Sequence, residues 1–179
     1  MTVAQSFADF REQGLLRRLN TTPMSSTDFI MANILSNMIL SMIQVTIVYV
    51  LALLLGFNSN SDALGILFAF LLMALFSLSS VGLGLITASI SKSGGTATGL
   101  SFIFILPQMF FGTFIPITNT TRVVAAFLPS YYATDALKSI FNGDNLLSAN
   151  ILIDVAFIAI FSIVIVILGI LLFKKYGNK

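Results

Sequence analysis

The sequence predicts an all-α polytopic transmembrane helix bundle, and three observations carry that prediction. Four apolar stretches, about 29–57, 63–90, 96–115 and 151–173, hold no ionisable residue in their middles, and the shortest has 20 residues. At about 1.5 Å rise per residue, a helix of that length crosses the ~30 Å hydrocarbon layer of a bilayer. The chain is 57% hydrophobic and 9% charged, against roughly 45–50% and 25% in a soluble domain, and its mean hydropathy is +0.99. The apolar runs are continuous rather than alternating, which selects helices over a closed barrel as the way to satisfy backbone hydrogen bonds in lipid.

Much chemistry is excluded at once. With no cysteine and no histidine, the chain offers no disulfide, no thiolate metal site and no histidine-based catalysis, so no metal and no catalytic residue are expected. The first apolar run follows a polar segment of nearly thirty residues, which is not the layout of a cleavable signal peptide, and the first span is expected to stay in the mature protein. The expected organisation is a segment 1–27 followed by one membrane domain, 28–179.

The basic residues outside the spans set the orientation. Arg11, Arg17, Arg18, Lys92, Lys174, Lys175 and Lys179 fall in alternate segments, seven against the two, Arg122 and Lys138, in the others. By the positive-inside rule both termini and the Lys92 loop face the cytoplasm, with 58–62 and 116–150 outside. The net charge of +2 is accounted for by topology, and no nucleic-acid partner is called for.

In the first segment, Leu15, Leu16 and Leu19 fall within an arc of about 100°, with Arg11, Arg17 and Arg18 opposite. This is a short amphipathic helix, which Pro23 should end before Ser25-Ser26-Thr27-Asp28 caps the first span. Glu12 lies inside the apolar arc, where it either frays near Gly14 or meets a protein rather than lipid. In the first span, Asn33, Asn37, Ser41 and Gln44 form a polar stripe about 80° wide. Such a stripe bonds to a neighbouring helix or lines a path for solute. Ser77, Ser80, Gly84 and Thr87 give the second span a face of small residues, and Gly95 and Gly99 open the third with a GxxxG spacing suited to close helix approach.

The third span is rich in phenylalanine and is interrupted by Pro107, Gln108 and Gly112 before Pro116, so a kink or break is expected there. Beyond it, 122–140 is too polar to span and too apolar for a free loop. Val123, Val124, Phe127, Leu128, Tyr131 and Tyr132 suit a re-entrant or interfacial segment at the outer surface. No phosphate-binding loop or dinucleotide fingerprint is present, so the chain itself is not expected to hydrolyse a nucleotide. Asp154 is the one charge within a span and lies near its outer end, an arrangement that disfavours ion coupling.

The run from Phe10 to Ser25, containing Arg11-Glu12-Gln13-Gly14-Leu15-Leu16-Arg17-Arg18-Leu19 and Thr22-Pro23, resembles the signature of ABC-2 type transporter permeases. Gly82-Leu83-Gly84-Leu85-Ile86, Pro107 with Gly112 and Pro116, and Leu128-Pro129-Ser130-Tyr131-Tyr132 extend the resemblance in order along nearly the whole chain. Leu15 stands where the family often has threonine, and a proline commonly found near Thr120 is missing. The resemblance implies the membrane subunit of an ATP-binding-cassette exporter in the cell (inner) membrane, working by alternating access. Its partners would be an ABC ATPase subunit, which holds ATP and Mg, a second permease copy or paralogue, and the lipid bilayer.

Carried over by position, the coupling helix is roughly Phe10 to Thr22, with Arg11, Glu12, Gly14, Leu15, Arg18, Leu19, Thr22 and Pro23 as ATPase contacts. Asn33, Asn37, Ser41 and Gln44 are the pathway candidates, and Pro107, Gly112, Pro116, Pro129, Tyr131 and Tyr132 mark the outer segment. Members of the family resemble six-span proteins, and this chain looks like their C-terminal two-thirds. The competing expectation is a non-transporting membrane scaffold or accessory subunit, in which helix packing alone explains the polar and small residues.

Overall fold

A computed structural model describes residues 2–12 and 26–176, and every regular element among them is a helix. In chain order these are α1 (Thr2–Glu12), α2 (Ser26–Leu54), α3 (Ala63–Ile90), α4 (Gly94–Met109), a π-turn (Phe110–Phe114), α5 (Asn119–Ala125), α6 (Pro129–Asn142) and α7 (Ala149–Tyr176). Four of the described helices are long and apolar enough to cross a membrane, over Ile30–Leu54, Ala63–Ile90, Gly94–Gly112 and Ala149–Phe173. They coincide with the four stretches expected from hydropathy.

The helix ends follow from local chemistry. After α2, Gly56 takes φ 91°, a left-handed conformation that glycine adopts without the Cβ penalty. Asp62 starts α3 by accepting from the Gly65 N–H at 3.2 Å, and at the start of α4 the Ser93 N–H donates to Thr96 Oγ1 at 3.0 Å while the Thr96 N–H donates to Ser93 Oγ at 3.3 Å. This reciprocal pair satisfies two donors that a helix start leaves without partners. Thr118 and Thr121 repeat the device at α5.

The described helices divide between two compact units, and α2, α3, α4 and α7 each contribute to both. The first draws on Met1–Met38, Leu78–Leu106 and Ser162–Lys179. Its core joins Val3 and Phe7 of α1 to Ile30 and Ile34 of α2, Val81, Leu85 and Ala88 of α3, and Phe173 of α7. The second draws on Ile39–Ser77 and Pro107–Phe161. Its core sets Ala69 and Leu72 of α3 against Ala133, Ala136 and Ile140 of α6 and Ile151 and Ile158 of α7.

Two expectations need correction. Gly95 and Gly99 are exposed and have open space where a side chain would stand, whereas Gly94 is buried against Asp9 of α1. The GxxxG pair therefore makes no close helix contact among the described residues. Of the small-residue face on α3, Ser77, Gly84 and Thr87 are buried but Ser80 is exposed. The amphipathic helix expected around Leu15 lies outside the described residues. What precedes it, α1, is a helix whose face of Val3, Ala4, Phe7 and Ala8 is buried. Those positions recur at i, i+1, i+4 and i+5, the spacing of one helical face.

Candidate functional site

The richest local chemistry lies where the π-turn meets α6. Pro107 sits inside α4, where it lacks the N–H for the ladder and its ring crowds the carbonyl four residues back. A few residues later the ladder widens, with the Ile115 N–H donating to the Phe110 carbonyl at 2.8 Å. This i to i+5 step is a π-turn, a form that recurs at functional sites. Gly112 lies within it, and a Cβ there would stand 3.1 Å from Ser130 Cβ of α6. The expected interruption of the third span thus takes the form of a π-turn pressed on α6.

Helix α6 begins with Pro129 in its first turn, where the fixed φ suits a helix start and no hydrogen bond is lost. It ends at Gly143, with φ 86° and the Asn60 carbonyl oxygen only 2.9 Å from where a Cβ would be. The Asn60 N–H donates to the Phe141 carbonyl at 3.0 Å, tying the α2–α3 connection to the same end. One face of α6, carrying Ser130, Ala133, Ala136 and Ile140, is buried. Tyr132 stacks on Phe157 of α7 at 3.9 Å between ring centroids, and its hydroxyl donates to the Ala126 carbonyl at 3.0 Å. Burial, the neighbouring Tyr131 and the Asp154 carboxylate push the Tyr132 phenol above its ordinary value, and Arg122 opposes them.

On the other face of α6, Tyr131, Thr134, Asp135 and Lys138 line a cavity of about 380 Å³. Their i, i+3, i+4, i+7 spacing is that of a single helical stripe. The opposite wall is apolar and comes from the π-turn and the chain that follows, including Phe111, Phe114 and Ile117. The volume falls within the range typical of small-molecule pockets.

The residues singled out in the sequence are brought together only in part. Gly112, Pro116 and Tyr131 line the cavity. Tyr132 turns instead to Phe157, and Pro129 is buried as the first turn of α6. Along α2, Asn33, Asn37 and Ser41 are half-buried and Gln44 is exposed. The Asn37 side-chain amide donates to the Asn33 carbonyl of its own helix at 2.8 Å. The first two of these residues belong to the first unit and the last two to the second. Arg11 and Glu12 end α1, and Gly14, Leu15, Arg18, Leu19, Thr22 and Pro23 lie outside the described residues. Thr134, Asp135 and Lys138 were not anticipated, although their shared helical spacing with Tyr131 was readable once α6 was treated as a helix.

The fold and this site define a polytopic helical membrane protein with two shorter helices between its last two spans. A family model described as ABC-2 family transporter protein matches residues 1–171. The chain belongs to the ABC-2 transporter family, and it is accordingly a membrane permease of the ABC transporter class, typically a non-enzymatic transmembrane subunit. Comparison with curated proteins finds no match.

Proposed function

We propose that the chain is the membrane-embedded part of an exporter that moves its solute by alternating access, driven by a separate ATPase dimer that binds ATP and Mg. In this reading residues 1–27 form the cytoplasmic coupling segment and 28–179 the transmembrane domain, with both termini cytoplasmic in the cell membrane. Arg11, Arg18 and Glu12 supply charge to the ATPase groove, Leu15 and Leu19 supply apolar contact, and Gly14 lets the backbones approach closely. A second permease copy or paralogue completes the pathway, to which Asn33, Asn37, Ser41 and Gln44 belong.

The observation that supports this reading best is the anchoring of α1. Phe7 is fully buried and meets Phe173 of α7 edge-on at 5.1 Å. A side chain at Gly84 of α3 would stand 3.0 Å from Val3 Cβ. Ala4 and Ala8 pack on Ala97 of α4. Helix α1, whose last residues Arg11 and Glu12 open the motif, thus packs against the spans, and in this reading a push on the motif passes through α1 to the bundle.

The test uses the complete permease with its ATPase in proteoliposomes. Glu12→Lys and Gly14→Trp are expected to leave ATP hydrolysis largely intact and to abolish transport. Wild-type transport in both variants would remove the motif from the mechanism. Orientation is checked by single cysteines: those replacing Asn60 and Asn145 should react with an impermeant reagent applied outside, and those replacing Ser93 and Asn178 should not.

A further inference from the structure

We infer that the cavity between the π-turn and α6 is a binding site for a zwitterionic amphiphile, a molecule with an ammonium and an acidic group close together on an apolar body. Asp135 and Lys138 stand three residues apart on the cavity-lining stripe of α6, which puts opposite charges side by side on one helical face. Both are exposed, and among the described residues neither forms an ion pair. Facing them, Phe111, Phe114 and Ile117 give a wall without charge. A purely anionic ligand would set its charge against Asp135, and a purely cationic one against Lys138. A ligand carrying both charges satisfies both side chains, and its apolar part covers the phenylalanines.

Thr134 and Tyr131 add hydroxyls to the same wall as Asp135 and Lys138.

The experiment uses the full chain in nanodiscs of phosphatidylglycerol and three photoreactive probes with the same dodecyl chain. Their headgroups are phosphocholine, trimethylammonium and phosphate, and labelling of 110–139 is read by peptide mass spectrometry relative to labelling of α2. The phosphocholine probe is expected to label this segment about fivefold more than either probe whose headgroup carries charge of one sign only. Asp135→Asn should move the preference toward the phosphate probe, Lys138→Gln toward the trimethylammonium probe, and the charge-swapped double variant D135K/K138D should restore the zwitterion. Both side chains are exposed, so these variants are expected to fold. Equal labelling by all three probes, or preferences that ignore the substitutions, would overturn the assignment. Repeating the measurement in phosphatidylethanolamine nanodiscs separates the two sources of the ligand: loss of labelling there identifies a bilayer headgroup as the natural occupant, and persistence identifies a free solute, both in keeping with the proposed chemistry. Because no ATPase or ATP is present, the outcome is independent of the exporter reading.

Discussion

The two units solve the problem of packing helices in different ways. The first is built on small residues and self-satisfied hydroxyls. A Cβ on Gly82 would stand 2.8 Å from Ile165 Cγ2, and one on Gly169 would stand 2.9 Å from Leu85 Cβ, so α3 and α7 approach closely there. Its buried hydroxyls have partners: Ser89 donates to the Leu85 carbonyl at 2.7 Å, Ser101 to the Ala97 carbonyl at 2.8 Å, and Thr87 and Ser101 meet across α3 and α4 at 3.1 Å. The second unit relies on rings and leaves room. Tyr49 meets Phe70 and Phe141, Tyr132 stacks on Phe157, and the cavity with the orphan Ser130 hydroxyl lies here. In a bilayer the hydrophobic effect does not draw helices together, and tight van der Waals contact takes its place. The first unit thus packs on small residues and paired hydroxyls, and the second on rings beside the cavity.

The comparison breaks most readily at α1. If the first unit is a close-packed frame, Phe7→Ala removes a fully buried ring and should cost about 3–5 kcal/mol, measured by reversible unfolding in mixed micelles. A cost under about 1 kcal/mol, within the range of changes at surface positions, would show α1 to be a peripheral attachment. The next largest contrast is between glycines. Gly82→Ala forces a methyl against Ile165 and the Val166 backbone and should destabilise by about 1–3 kcal/mol. Gly99→Ala enters open space and should be neutral, or stabilising by up to about 1 kcal/mol through helix propensity. Equal effects at the two positions would refute the assignment of close packing to Gly82 and open space to Gly99.

A smaller contrast sharpens the difference in polar satisfaction. Ser101→Ala in the first unit removes an interhelical hydroxyl contact and should cost about 0.6 kcal/mol. Ser130→Ala in the second removes an oxygen with no partner and should stabilise the ligand-free protein by about 1 kcal/mol. The same unfolding assay reads both. A loss of stability at Ser130 in the absence of added amphiphile would mean that the hydroxyl already bonds within the protein.

The spans were legible because length and hydropathy suffice to define a membrane helix, and Ala63–Ile90 was bounded correctly at both ends. Helix α1 was not, because it is short and polar overall and Val3, Ala4, Phe7 and Ala8 stand out only once the partners that bury them are known. The GxxxG reading failed by one position. In a helix adjacent residues point about 100° apart, so Gly94 faces α1 while Gly95 looks outward. The segment 122–140, expected to be re-entrant or interfacial, is helical, with Val123, Val124 and Phe127 exposed. Its division into α5 and α6 was missed, since the Thr118–Thr121 pair is a less familiar cap than one ending in glutamate. The cavity was illegible for a different reason. Lys138 entered the sequence reading only as an outer basic residue, and nothing marks Asp135 and Lys138 as a pair until the π-turn supplies the opposite wall.

The last and smallest effect concerns Tyr132, at the centre of the ring-based packing of the second unit. Burial raises its phenol above the ordinary tyrosine value, with Tyr131 and Asp154 adding to the shift. Desolvation disfavours the phenolate, and the hydrogen bond donated to the Ala126 carbonyl at 3.0 Å needs the proton to remain. A group whose folded value is raised contributes stability that is complete below its unfolded value and is lost as pH climbs through the folded one. Stability of the wild type should therefore fall at strongly alkaline pH through this side chain, and that component of the fall should vanish in Tyr132→Phe. At neutral pH the substitution keeps the stack on Phe157 and forfeits one hydrogen bond, a cost of about 0.5 kcal/mol. An ultraviolet titration of phenolate absorbance checks the assignment: Tyr132→Phe should delete a step that lies above the ordinary tyrosine range. A titration that keeps this step would mean that the ring is solvated in the membrane-embedded protein, and would take away the contact on which the comparison of the two units most depends in its second half.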